Sequence, residues 1–248
     1  MAKNFFSGFV AALPVATGYF PVAITFGILV VNTGLGFLDA VLASAVVFAG
    51  AAQFLAIGMY AGITAGVGTA AAFQIVIAGW LLNLRHLLMS SVIAHNLAGT
   101  RAVGNTPGGR AVRGVLAFGV TDEVFGVASL KIAEGGQVRP SYLLGLELGA
   151  YTAWVGGTAV GASMGEILPP GLRAAMGLAL YALFAALLAG QVRAGRTVPV
   201  VIAAIVAATV NVILRSYGNI GPGGAFPLAM IAGALAGWIA ISRGENQR

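Results

Sequence analysis

Among 248 residues only seven are acidic and thirteen basic, and a few of these stand where charge is costly. Asp122 and Glu123 follow Thr121 inside an otherwise apolar stretch, Val115–Leu130. A carboxyl pair there could recognise an amino group or carry a proton; the alternative is a pair in a loop open to water. Asn83, Arg85 and His86 lie between two long apolar stretches. A guanidinium can grip a carboxylate through two parallel hydrogen bonds, although Arg85 could equally snorkel to a membrane surface. His86 titrates near neutral pH, or serves as a hydrogen-bonded structural group. Gln53 sits in Val47-Phe48-Ala49-Gly50-Ala51-Ala52-Gln53-Phe54. Small residues around Gly50 could let a helix unwind and offer backbone groups to a solute; an interhelical hydrogen bond by Gln53 is the other reading. Glu147, Tyr151, Trp154 and Thr158 recur at i, i+3, i+4 spacing. They form one polar stripe, which lines a cavity or hydrogen-bonds a neighbouring helix. Asn211 and Arg215 are also i, i+4, with Arg215 read as snorkelling.

Other chemistries find no support. Gly104-Asn105-Thr106-Pro107-Gly108-Gly109-Arg110 lacks the lysine of a phosphate loop, so no ATPase is expected. There is no H-E-x-x-H, the only histidines are His86 and His95, and there is no cysteine. No enzyme, cofactor or metal site is therefore expected.

The elements that hold these residues belong in lipid. Hydrophobic residues make up 59% and charged residues 8%, where a soluble domain carries roughly 25% charged. No charged residue occurs from Phe5 to Leu38, or from Ala40 to Leu84. A helix needs about 20 apolar residues to cross the hydrocarbon core. The net charge of +6 sits between apolar segments, which suits cytoplasmic membrane loops better than nucleic acid. Lys3 precedes an apolar stretch too long for a signal peptide, so an uncleaved first span is expected. The candidate segments are Phe9–Val31 with an N-terminal extension, Ala40–Tyr60, Gly66–Leu82, His86–Ala98, Val115–Leu130, Tyr142–Ser163, Ala174–Gln191, Val198–Leu214 and Phe226–Ile241, separated in places by Gly/Pro loops at 104–109, 169–171 and 221–224. They are apolar at successive positions, which favours helices over barrel strands.

Two segments need breaks. Gly66–Leu82 and His86–Ala98 joined would run about 50 Å, so a break is expected near Asn83-Leu84-Arg85-His86. Val115–Leu130 carries two adjacent acids, each costing about 2.5–3.5 kcal/mol at mid-membrane. A re-entrant or protein-enclosed piece is expected there. Arg101, Arg110, Arg113, Lys131 and Arg139 then share the cytoplasm with Arg193, Arg196, Arg243, Arg248 and both termini. The expectation is an all-α polytopic transmembrane bundle of about 7–8 spans, a single domain over 1–248, with a broken helix near 50–53 and a re-entrant or short segment near 115–130. Gly145/Gly149, Gly157/Gly161/Gly165, Gly233/Gly237 and Gly58/Gly62/Gly66 repeat at four-residue spacing. Such faces let helices approach closely; association with a partner or a second copy through one of them is the alternative.

Four blocks carry a resemblance. Leu13-Pro14, Gly18-Tyr19, Pro21 and Phe26-Gly27 come first; then Val47–Phe54; then Leu82-Asn83-Leu84-Arg85-His86-Leu87-Leu88-Met89-Ser90; then Thr121-Asp122-Glu123-Val124-Phe125. In order and spacing they resemble the AzlC family, the large subunit of branched-chain amino acid exporters, over roughly Phe5 to Ser216. The resemblance implies export of branched-chain amino acids, in some members methionine, across the bacterial cytoplasmic membrane, with a small membrane subunit of the AzlD type as partner.

A zwitterion needs one contact for each charged end and an apolar pocket. Arg85, flanked by Asn83 and His86, or unwound amides near Gly50 and Gln53, would meet the carboxylate. Asp122 or Glu123 would meet the ammonium or carry the proton, with Glu147 a further candidate. The reading is a proton-driven secondary permease. A membrane scaffold or assembly subunit with no path of its own is the rival.

Overall fold

A computed structural model describes residues 2–64, 70–97, 106–133, 138–164, 171, 197–218, 220 and 222–245. The described helices are α1 (Ala2–Ala11), α2 (Leu13–Asn32), α3 (Phe37–Val46), α4 (Gly50–Thr64), α5 (Ala70–Leu97), α6 (Pro107–Phe118), α7 (Asp122–Ala133), α8 (Pro140–Met164), α9 (Thr197–Ser216) and α10 (Pro222–Glu245). Among the described residues there is no strand. Among the described residues, three helical stretches could cross a membrane by length and composition: Leu13–Asn32, Ala72–Leu97 and Thr197–Ser216. The expected segment Ala174–Gln191 lies outside the described residues, as do Gly66, Gly165, Arg101, Arg193, Arg196, Arg248 and parts of the loops at 104–109, 169–171 and 221–224.

The chain divides into two units, residues 1–57 with 82–177, and 58–81 with 178–248. In the first, α8 is the central element. Leu143, Leu146, Ala150, Trp154 and Thr158 along it are buried. Its glycines explain how α1 and α2 come so close. A Cβ on Gly145 would fall on the Phe5 carbonyl, and one on Gly161 on the Ile24 carbonyl. On Gly149 and Gly157 it would stand 2.5 Å from Ala12 Cβ and 2.7 Å from the Phe20 carbonyl. From the other side, Gly8 fits against the Tyr142 carbonyl and Gly27 against that of Thr158. Two glycine faces read from the sequence are therefore internal packing faces. Leu87 and Leu88, 71% and 68% exposed, point outward, as lipid-facing side chains do. In the second unit α9 packs on α10, with Gly233 and Gly237 against Ala203. Gly58 meets no atom within 4 Å of an added Cβ.

Helix ends follow local chemistry. Pro14 opens α2, where a missing N–H costs nothing. Gly34 supplies a φ of +89° in the turn that follows α2. The Asp39 carboxylate accepts from the Gly36 N–H at the start of α3 (2.8 Å). Thr106 caps α6 by accepting from the Gly109 N–H.

Three expectations change. The break at Asn83–His86 is absent, because α5 runs through it as one helix of 28 residues. At 1.5 Å per residue that is about 42 Å, which tilt or an end outside the hydrocarbon can absorb. The polar residues there need no break: Arg85 finds its partner Asp122 from a regular helix. The segment Ala40–Tyr60 is two helices, interrupted at residues 47–49, just before the position expected. The stretch Val115–Leu130 is the end of α6 and most of α7, separated by residues 119–121.

Candidate functional site

The two interruptions build the site, and both lie in the first unit. Helix ends leave backbone groups without helical partners. At the first interruption the Val47 N–H still bonds to the Ala43 carbonyl (2.9 Å), the Ala49 N–H turns back to the Val47 carbonyl (2.5 Å), and the Gln53 N–H resumes the ladder at the Ala49 carbonyl. The exposed end of α3 is met from α8: Tyr151 OH donates to the Ala45 carbonyl (3.0 Å). At the second, the Gly119 N–H bonds to the Val115 carbonyl, and Thr121 restarts the helix by accepting from the Val124 N–H (3.4 Å). Asp122 and Glu123 thus occupy the first turn of α7, with Lys131 in its last turn, the order the helix dipole favours. The interruptions meet through aromatic rings. Phe48 lies 6.4 Å from Phe118, and both pack on Tyr151.

Beside this junction runs a buried polar chain. Trp154 Nε1 donates to Gln53 Oε1 (2.9 Å), and Gln53 Nε2 donates to Ser44 Oγ (3.3 Å). Thr158 gives its proton to the Trp154 carbonyl (2.9 Å), so Ser44 donates in the short contact with Thr158 (2.7 Å). Ser44 and Thr158 have no exposed surface, and Gln53 has 4%. Both ends of the Gln53 amide are used, so it joins α4 to α8 rather than facing a solute. Gly50 lets the Trp154 ring approach: a Cβ there would stand 2.7 Å from Cη2. The stripe Tyr151, Trp154, Thr158 is accordingly a set of interhelical donors and acceptors.

The charged groups gather on the other side of Tyr19. Arg85 Nη1 pairs with Asp122 Oδ2 at 2.8 Å, the side chains 35% and 29% exposed. Tyr19 OH hydrogen-bonds both Thr121 Oγ1 (2.7 Å) and the Glu123 carboxylate. Its ring stands edge-on to Trp154 (5.3 Å) and Phe48 (6.2 Å). His86 is the next residue of α5 and stands within electrostatic reach of Arg85 and Glu123. Asn83 Oδ1, Arg85 Nε and Glu147 Oε1 are buried without a partner. Glu147 lies across Gly119, where a Cβ would stand 2.6–2.7 Å from its side-chain carbons.

Arg85, His86, Asp122 and Glu123 are thus brought together. Gln53 and Gly50 reach them only through Trp154 and Tyr19, and Asn211 and Arg215 belong to the second unit. Tyr19 is the residue that sequence reasoning passed over as a site member. A phenol in an apolar span needs a hydrogen-bond partner, and that was its signal. Among the described residues no three His, Asp or Glu side chains gather as metal ligands would.

Comparison with known proteins gives a consistent picture. The family described as "AzlC protein" matches residues 14–168, which include Tyr19, Gln53, Arg85, Asp122 and Glu147. The chain is 36% identical over 237 residues to an uncharacterized membrane protein of Archaeoglobus fulgidus, covering 94% of each. It is 30% identical over 240 residues to the inner membrane protein YgaZ of Escherichia coli, covering 95% of this chain and 89% of that one. An uncharacterized membrane protein of Helicobacter pylori is 26% identical over 164 residues, 66% of this chain and 65% of its own length. No solved structure matches.

Proposed function

The chain belongs to the AzlC family of membrane proteins, and from that premise we propose that it is a secondary permease that exports Leu, Ile, Val or methionine. The observation that carries this reading is the Arg85–Asp122 pair, one third open, beside two interrupted helices. An intramembrane ion pair is costly, and such pairs mark substrate or ion paths. A zwitterion carries the same two charges as the pair. Its carboxylate would take the Arg85 fork and its ammonium the Asp122 carboxylate, replacing one charge-assisted contact by two. Phe48 and Phe118 would receive the branched side chain. Asn83 and His86 flank Arg85, Glu123 is held by Tyr19, and Gln53 braces the first interruption.

The rest of the proposal follows the family: a bundle of seven to eight spans in the cytoplasmic membrane, both termini in the cytoplasm, a proton gradient as the driving force, and a small membrane subunit of the AzlD type as partner.

The test is direct. The chain is reconstituted with and without the small subunit in vesicles loaded with labelled leucine. Saturable release that an opposing proton gradient accelerates is the expected result. Release no faster than from protein-free vesicles, with both subunits inserted, would favour a scaffold without a path of its own.

A further inference from the structure

Among the described residues, Glu147 is the one buried carboxyl that the substrate contacts leave unused. It is 4% exposed, and its Oε1 has no hydrogen-bond partner. Among the described residues no ion pair reaches it. The described titratable and charged side chains on the elements packed against α8 are occupied elsewhere or open to water. On α2, Tyr19 is held by Thr121 and Glu123. On α3, Asp39 binds the Gly36 N–H. On α7, Asp122 pairs with Arg85, Glu123 holds Tyr19, and Lys131 sits 3.7 Å over the Tyr142 ring of α8 itself. On α6, Arg110 is exposed and Arg113 is engaged in an interaction of its own. On α8, Tyr151 OH is committed to the Ala45 carbonyl. Lys3 of α1 has a side chain outside the described residues.

We propose that Glu147 carries the coupling proton, and that the interruption at Gly119 is the door through which water reaches it. This rests on the permease reading and names the residue and route of its coupling. A carboxylate with an unpaired oxygen and no described cation beside it is costly in a dry helix bundle; the neutral acid costs far less. Exchanging the proton therefore needs water beside the carboxyl. Helical backbone closes most approaches, but Gly119 has no side chain, and the Glu147 carboxyl lies directly against it. Entering water accepts the proton as hydronium and leaves the carboxylate; the reverse step restores the acid and the water. The coupling is mechanical. Asp122 is three residues beyond Gly119, so opening the Arg85–Asp122 pair around a substrate shifts the short connection that covers Glu147.

The test compares wild type and Glu147→Gln in vesicles. The amide keeps the shape and cannot carry the proton. Two transport readouts separate the steps: exchange of labelled leucine at equal pH, and accumulation under a pH gradient. One pH unit coupled to one proton supports about tenfold accumulation. Wild type is expected to approach this, while E147Q exchanges leucine within about threefold of wild type, under half of one pH unit's worth of free energy, and accumulates none. Infrared spectra give a third readout, independent of transport: a carboxylic-acid carbonyl band present in wild type and missing in E147Q. Accumulation by E147Q equal to wild type, or an unchanged acid band, overturns the proposal. Should E147Q fail to insert, Glu147→Asp keeps a titratable group and is expected to retain coupled accumulation; its loss with exchange intact counts against the proposal. A wild type with no leucine exchange at all removes the permease reading, and this proposal with it, whatever E147Q does.

Discussion

Arg85→Ala and Asp122→Asn each lower leucine flux by about 10- to 100-fold at equal membrane insertion, and the double variant is little worse than either one. The size follows from the contact removed. A hydrogen bond to a charged group contributes about 1.5–3 kcal/mol, and about 1.4 kcal/mol is a factor of ten. The pair is two-thirds covered, so one partner left alone faces an uncompensated charge. Non-additivity follows because both changes remove one shared site; contacting residues couple, whereas distant ones add. Arg85→Lys keeps the charge without the planar fork and falls between wild type and Arg85→Ala. Folding is affected much less. A pair one third exposed contributes up to about 1 kcal/mol to stability, so thermal midpoints in detergent stay close to wild type while flux falls. Initial rates of labelled leucine release decide the matter. Variants that release leucine as fast as wild type would remove Arg85 and Asp122 from the site.

The second large effect is on folding and involves no charge. Gly161→Ala and Gly145→Ala place a methyl group on the backbone carbonyls of Ile24 and Phe5. A backbone cannot swing aside as a side-chain tip can. Overpacking of this kind costs about 1–3 kcal/mol and sometimes more, and here it pushes α2 or α1 away from α8. Gly156→Ala, one residue from the packing face, meets nothing within 4 Å. It is expected to be neutral or to stabilise by about 0.5–1 kcal/mol, the cost of glycine in a helix. Thermal unfolding of the three detergent-solubilised variants separates these outcomes. Equal midpoints for Gly161→Ala and Gly156→Ala would mean that α2 does not rest on α8 through that face.

Both predictions rest on features that were unequally legible in the sequence. The glycine spacing of α8 was readable because its cause is local: residues four apart share a helix face. The restart at Thr121 has a local cause too, a threonine before two acids, yet Val115–Leu130 reads in the sequence as one apolar piece. The region of the first interruption was visible as a run of small residues. What packs against it was not, because the Trp154 ring that crowds Gly50 comes from α8 about a hundred residues later. Gln53 leaves two readings open in the sequence, solute contact or interhelical hydrogen bond, for a related reason. A buried amide looks the same in sequence whether it faces a ligand or, as here, Trp154 and Ser44.

The run Asn83–His86 suggests a helix break because its polarity is unusual for a span, but α5 is continuous there. Polarity alone does not interrupt a helix. Leu84 and Leu87 are exposed while Arg85 is partly covered against Asp122, so a regular helix serves both faces. Tyr19 was the least legible. Its partners Thr121 and Glu123 lie 102 and 104 residues away, and no local pattern announces a contact at that separation.

The site as described reads both ends of its substrate, and competition against labelled leucine flux probes that property most closely. The competitors are unlabelled leucine, 4-methylpentanoate, which lacks the ammonium, and isopentylamine, which lacks the carboxylate. Leucine should compete fully and each analogue about 10- to 100-fold more weakly, because one charge-assisted contact is missing in each case. If either analogue competes as well as leucine, no zwitterion is held between Arg85 and Asp122.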